Sequence, residues 1–262
     1  MSQLVVPTMA ELMSKGEQAD VLFWVGCAGS FDDRAKKITK AFVKILNKAN
    51  VKFAVLGTEE SCSGDPARRA GNEFLFQMQA MTNIEVMNAY KVQKIVTACP
   101  HCFNTLKNEY PELGGEYDVI HHTQLLKELL DEGKITIEGG HFEGKKITFH
   151  DPCYLGRAND VYEAPRYLIT KLDAELVEMK RCKAKGLCCG AGGAQMFKEP
   201  EKGNKDINIE RTEDALAVTP NFIATGCPFC NTMMTDGIKN KEKENDVQVM
   251  DIAEMIAQAQ DL

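Results

Sequence analysis

Residues 97–106 read TACPHCFNTL, and residues 225–234 read TGCPFCNTMM. The shared Cys-Pro-x-Cys frame recurs at one offset: Cys99 matches Cys227 and Cys102 matches Cys230, each 128 positions apart. Working backwards, the first half offers Cys62 in ESCSGD and Cys27 in FWVGCAGS, and the second offers Cys188 in GLCCGAGG and Cys153 in FHDPCYLG. Positions 27 and 153, and positions 62 and 188, each differ by 126. Nine of the ten cysteines therefore belong to one duplicated pattern; Cys189 is an extra member of the second copy and Cys182 stands outside it. Self-similarity on this scale reads as one structural unit used twice.

The segments between the cysteines repeat too. In the first half DVLFWVGC, KFAVLG, KIVTAC and YDVIHH are short runs of β-formers. Helical patterns separate them: RAKKITKAFVKILNKAN behind the capping residues Asp32 and Asp33, a long stretch from Pro66 to Tyr90, and then TQLLKELLDEG after the fourth strand. The second half follows with KITFHDPC, VYEAPRYLITKL, AELVEM, DINIERTEDALAV, NFIATGC and DVQVMDIAEMIAQAQ. This alternation predicts an α/β chain of two pseudo-repeated Rossmann-like units, each a short parallel sheet flanked by helices and wound with right-handed crossovers. In each half one cysteine ends the first strand and another ends the third. Open α/β sheets build their sites beyond the carboxyl ends of the strands, so metal sites are expected there. The Gly- and charge-rich segment EGKITIEGGHFEGKK, residues 132–146, marks the boundary, with a first domain over 1–140 and a second over 141–262.

Composition narrows the function. A net charge of −7 argues against a nucleic-acid-binding face, and the lysines of AKKITKAFVKILNK read as a solvated helix surface. The first twenty residues lack the basic start, apolar stretch and cleavage site of a signal peptide, and no run approaches the roughly 18 apolar residues of a membrane span. The expectation is a cytoplasmic protein. Ten cysteines in a reducing compartment then point to metal or redox chemistry rather than disulfides.

The second half supplies five thiols: Cys153, Cys188, Cys189, Cys227 and Cys230. Tetrahedral zinc and a conventional cubane cluster each take about four, so a fifth calls for an unusual cluster or a reactive thiol. Gly190, Ala191, Gly192 and Gly193 let backbone approach a bulky cofactor and aim N–H groups at its sulfurs. A phosphate-binding loop is the competing reading, but the spacing of the dinucleotide fingerprint and the Walker lysine are missing. The first half supplies four, Cys27, Cys62, Cys99 and Cys102, and carries Ser63 where the second half has Cys189. Four thiolates suit a cubane [4Fe-4S] cluster or zinc, and structural zinc contributes on the order of 10 kcal/mol to a folded state.

The order Cys, then Cys-Cys-Gly, then Cys-Pro-x-Cys, duplicated from about Asp20 to the C-terminus, resembles the cysteine-rich CCG domain family. Its best-known member is the B subunit of heterodisulfide reductase. The resemblance implies that Cys153, Cys188, Cys189, Cys227 and Cys230 bind a noncubane [4Fe-4S] cluster, and that Cys27, Cys62, Cys99 and Cys102 hold a [4Fe-4S] cluster or zinc. It implies a redox subunit that takes electrons from a ferredoxin-type iron-sulfur or flavoprotein partner and reduces a disulfide or comparable two-electron acceptor. The cluster itself is then the reactive centre, with Cys189 and Cys153 the candidate catalytic thiols. In heterodisulfide reductases both copies carry five cysteines; the departure at Ser63 favours one noncubane site beside a four-cysteine site. Two other readings are an electron-transfer or docking subunit of a membrane-associated oxidoreductase, peripheral through its partner, and a zinc-stabilised scaffold. The chain has no ferredoxin cysteine run and no dinucleotide fingerprint, so the electron donor is a partner.

Other residues carry weaker signals. Cys182, among the basic residues of MKRCKAKG, is expected to have a lowered pKa, although an unmatched cysteine is more often incidental. His150 and Asp151 precede Pro152 and Cys153, and His101 sits between Cys99 and Cys102; ligation, proton delivery and loop packing are all open to them. His121 and His122 read as structural. Arg68, Arg69 and Arg211 suit an anionic substrate, with ion pairing the default. The helix before Tyr90 and the stretch LVVPTMAELM are the places for a partner contact.

Overall fold

A computed structural model describes residues 4–137, 140–199 and 202–262. Four strands form the first sheet: β1 (Val21–Trp24), β2 (Phe53–Ala54), β3 (Lys94–Thr97) and β4 (Asp118–His121), all parallel in the order β2-β1-β3-β4. The second holds β5 (Lys146–Phe149), β6 (Glu175–Leu176), β7 (Phe222–Thr225) and β8 (Gln248–Asp251), parallel in the order β6-β5-β7-β8. The two sheets thus share one topology. Central strands such as VLFW are buried along their whole length because helices cover both faces.

The helices are α1 (Met9–Ser14), α2 (Gly26–Phe31), α3 (Ala35–Lys48), α4 (Asp65–Arg69), α5 (Glu73–Ala89), α6 (Pro100–Asn104), α7 (His122–Asp131), α8 (Glu163–Thr170), α9 (Ile207–Leu216), α10 (Pro228–Asn240) and α11 (Ile252–Gln258). Local chemistry sets their ends. Asp32 accepts the Ala35 N–H at 2.7 Å, opening α3, and Asp251 with Glu254 forms a capping box on α11. The stretch from Pro66 to Tyr90 is two helices rather than one. Gly71 at φ +87° ends the first, and Asn72 caps the second by accepting the Leu75 N–H at 3.1 Å. The methionine-bearing segment after Cys230 continues α10, an element that the strand and helix patterns of the sequence leave unassigned.

Between the sheets lies one apolar core. Phe23, Phe42, Ile45 and Leu46 from the first half meet Phe149, Leu168, Ile252 and Ile256 from the second. Helix α3 packs on α11 and α7 packs on α8, a pseudo-twofold arrangement in which each unit buries its apolar face against the other. Ile135 and Phe142, flanking the expected boundary, are buried in this same core. Residues 138 and 139 of that boundary lie outside the described residues. Polar contacts cross the seam as well: Arg34 Nη1 to Glu254 at 2.7 Å, and His122 Nε2 to Asp251 Oδ1 at 2.9 Å. Among the described residues no helix is long and apolar enough to cross a membrane.

Candidate metal centre

The cysteines of the first half sit on turns that follow β1, β2 and β3. Cys27 lies in α2, directly after β1, and the Glu60 carboxylate accepts the Val25 and Gly26 N–H groups at 3.0 and 2.6 Å. One carboxylate two residues before Cys62 therefore pins the turn that carries Cys27. The Cys62 sulfur accepts from the Gly64 N–H at 3.4 Å; the neighbouring Cys27 thiol and this bond lower the Cys62 pKa to about 6, while the Cys62 sulfur and burial raise that of Cys27. Cys99 and Cys102 are neighbours at the start of α6, both with pKa raised well above the ordinary thiol value, and Ser63 Oγ reaches Cys102 Sγ at 3.5 Å.

In the second half Cys153 follows β5, Cys188 and Cys189 lie on the loop before α9, and Cys227 caps α10 by accepting the Cys230 N–H at 3.5 Å. Cys189 Sγ lies 3.3 Å from Cys230 Sγ. The Cys188 sulfur accepts from the Gly190 N–H at 3.3 Å, and the neighbouring Cys153 and Cys189 thiols together with that bond hold its pKa far below the ordinary thiol value. All five line one cavity, together with His101, His150, Tyr154 and Gly192. Cys189, Cys227 and Cys230 are buried, whereas Cys153 and Cys188 are half-buried and mark its open edge.

The two sets adjoin. Cys99 and Cys227 are near enough that each shifts the other's pKa, Cys227 raising that of Cys99 and Cys99 lowering that of Cys227, so counterpart cysteines of the two copies are neighbours. His101, from the first half, lines the second-half cavity; its Nδ1 bonds Asp65 Oδ2 at 2.9 Å and its ring packs at a 36° tilt on Tyr154, centroids 4.6 Å apart. Gly192 lies against the His101 ring: a Cβ there would stand 3.4 Å from it, in ordinary van der Waals contact.

The donor set suits a thiolate-bound inorganic group. Sulfur ligands dominate, as soft metals and iron-sulfur clusters require. The backbone N–H groups of Gly64 and Gly190 already aim at sulfur. Two fully buried ring nitrogens nearby, Trp24 Nε1 and His150 Nε2, have no partner among the protein's own atoms. Buried donors of this kind are ordinarily satisfied.

The remaining expectations divide. Cys182 is half-buried beside Glu178 and Asp151, and burial together with those carboxylates raises its pKa, reversing the effect expected from its basic sequence neighbours. Arg68 pairs with Glu109, Glu73 and Glu112, and Arg69 with Asp65 and Glu109, so both are committed to ion pairs. Arg211 is fully buried, with its Nε on His150 Nδ1 at 2.9 Å. His121 and His122 are buried at the seam, bonded to Thr123 and Asp251. The N-terminal stretch exposes Val5 and Met13, and α5 exposes Phe74, Met78 and Met81. Sequence reading missed Glu60 and Trp24 altogether, although Trp24 and His150 both stand three residues before the first cysteine of their half.

The family model of the CCG cysteine-rich domain matches this chain twice, over residues 21–107 and 147–235. "Probable iron-sulfur-binding oxidoreductase FadF" of Bacillus subtilis (strain 168) is 49% identical over 97% of this chain and 36% of its own length. "EtfAB:quinone oxidoreductase" of Syntrophomonas wolfei is 45% identical over 95% of this chain and 35% of its own length. The D subunit of the dihydromethanophenazine:CoB--CoM heterodisulfide reductase of Methanosarcina barkeri is 34% identical over 93% and 59%, respectively. The chain thus spans about a third of the length of the first two relatives and less than two thirds of the third.

Proposed function

The chain belongs to the cysteine-rich CCG domain family, and from that premise we propose that it is the redox module of an iron-sulfur oxidoreductase. In this reading Cys153, Cys188, Cys189, Cys227 and Cys230 hold a noncubane [4Fe-4S] cluster, and Cys27, Cys62, Cys99 and Cys102 hold a [4Fe-4S] cluster or zinc. Residues 1–140 and 141–262 are the two CCG domains. The observation that carries the reading is the convergence of five sulfurs from three separate segments on one cavity. When bound, an iron-sulfur cluster supplies one-electron transfer at thiolate-held iron.

The chain's own residues do the rest. Gly190 and its neighbours turn N–H groups toward sulfur, and burial of Cys189, Cys227 and Cys230 keeps water from the inner side. The proximity of Cys99 to Cys227 puts the two donor sets side by side. Cys153, Cys188 and Tyr154 form the edge at which a disulfide or comparable two-electron acceptor reaches the site, with His101 and its Asp65 partner on the cavity wall.

A second reading, electron relay between a flavoprotein or ferredoxin-type donor and a membrane quinone system, is favoured by the likeness to EtfAB:quinone oxidoreductase. The disulfide reading is favoured by the heterodisulfide reductase relative. Anaerobic iron and acid-labile sulfide analysis with electron paramagnetic resonance tests the common core. About four irons or more per chain support it; a colourless zinc protein overturns it. Reoxidation of the reduced chain by added disulfide separates the two versions.

A further inference from the structure

Trp24 and His150 occupy the same place in the two copies, at the carboxyl ends of β1 and β5 and three residues ahead of Cys27 and Cys153. Both side chains are fully buried, and both end in a ring nitrogen without a partner, Trp24 Nε1 and His150 Nε2. Each ring borders the sulfurs of its own half. The point where a Cβ would stand on Gly26 is 3.4 Å from Cys102 Sγ and 4.0 Å from Trp24 Nε1, so indole and thiol border the same spot beside the Gly26 backbone. In the second half a ring nitrogen of His150 and the sulfurs of Cys189 and Cys230 lie within 4.8 Å of one another.

An indole nitrogen is always a donor, but an imidazole nitrogen is a donor only in one tautomer. Arg211 decides which. Its Nε–H donates to His150 Nδ1 at 2.9 Å, and a guanidinium has donors only, so Nδ1 accepts and the hydrogen of the neutral ring sits on Nε2. A protonated Nε2 also removes His150 from the possible metal ligands. Arg211 is itself held by the Arg181 carbonyl and by Asp214 at 3.4 Å. The corresponding helix position in the first half, 128 residues earlier, is the buried Asn83, which bonds the Cys62 carbonyl and Tyr110 instead. No cation is needed there, because tryptophan needs no tautomer fixed.

Building on the iron-sulfur reading above, we propose that Trp24 Nε1–H and His150 Nε2–H each donate a hydrogen bond to a sulfur of the centre held in their own half, and that Arg211 is the positioning residue that fixes His150 as a donor. Hydrogen bonds to cluster sulfurs stabilise the more negative, reduced state and raise the reduction potential.

The test is a redox titration, followed by electron paramagnetic resonance, of the full chain reconstituted anaerobically with iron and sulfide. Trp24→Phe is expected to lower the potential of the first-half centre alone. His150→Phe and Arg211→Met lower that of the second alone, each by about tenfold in the reduction equilibrium constant, or about 59 mV for one electron. Arg211→Lys, which keeps a donor toward Nδ1, restores most of the shift. Because Trp24 is the single tryptophan, indole-15N labelling of the unsubstituted chain adds a readout that needs no variant: a hyperfine coupling between that nitrogen and the first-half centre. Unmoved potentials and no 15N coupling in fully iron-loaded chains overturn the hydrogen bonds while leaving the functional reading intact. An iron-free first half overturns the Trp24 arm, and a chain that takes up no iron overturns both proposals.

Discussion

Ser63 Oγ stands 3.5 Å from Cys102 Sγ, and its counterpart pair in the other half, Cys189 and Cys230, stands sulfur to sulfur at 3.3 Å. The two copies thus differ at this point by one atom in an otherwise matching place. Ser63 is buried, and its hydroxyl is spent on a thiol rather than on solvent. At this position the difference between the halves is one of side-chain chemistry, oxygen in place of sulfur.

Ser63→Cys is expected to give the first half a fifth thiolate without disturbing the fold, and to make its reduced-state resonance approach that of the second half. Cys189→Ser should change the second-half signal alone. Iron content and electron paramagnetic resonance of the two variants check this; an unaltered second-half spectrum in Cys189→Ser would remove that residue from the ligand set.

The shared core predicts one folding unit. Phe42 is fully buried, edge-on to Phe23 at 5.1 Å and to His122 at 5.7 Å. Phe42→Ala should cost about 3–5 kcal/mol, and both sheets should melt in a single transition. Denaturant unfolding followed by far-ultraviolet circular dichroism and by Trp24 fluorescence checks it. Transitions that separate would mean that the halves fold independently.

Asp251 is buried at the seam, where one oxygen accepts from Ala253 N–H at 2.9 Å and bonds His122 Nε2 at 2.9 Å. Asp251→Ala removes a helix cap and strands a buried imidazole, together costing about 2–4 kcal/mol. Arg34→Ala, which breaks a partly exposed ion pair at the same seam, should cost about 1 kcal/mol or less. Paired denaturation curves rank the two; equal losses would count against Asp251 as the tighter junction.

Glu60 makes stability depend on pH. Burial raises its carboxyl from 4.5 to about 7, against the two N–H bonds from Val25 and Gly26 that lower it. A raised carboxyl favours the protonated folded state, so its contribution is full below about pH 4.5 and is lost as pH rises through about 7. Glu60→Gln should start less stable, having one acceptor for two donors, yet show a shallower decline between pH 5 and 8. Denaturation midpoints across that range measure the slope, and parallel slopes would sink the assignment.

How much of this is legible in the sequence follows from distance along the chain. Alternation of strands and helices and the spacing of the cysteines are local or periodic, and they are enough to predict the two parallel sheets and the turns that carry Cys27, Cys99, Cys153 and Cys227. The break at Gly71 has a local signal too, since a Gly-Asn pair inside a helical stretch marks a C-cap followed by an N-cap, although the stretch from Pro66 to Tyr90 reads as one helical pattern.

The sequence by itself determined that one unit is used twice, and which thiols each copy brings to the ends of its strands, because β-strand and helix periodicity and turn residues act over a few positions. Only the tertiary structure decided that Cys99 meets Cys227, that His101 serves the cavity of the other half, and that Arg211 sets the tautomer of His150. Those contacts arise because neither sheet buries its helices alone. The packing of α3 on α11 and α7 on α8 fixes how the copies face each other, and no motif within a copy encodes that angle.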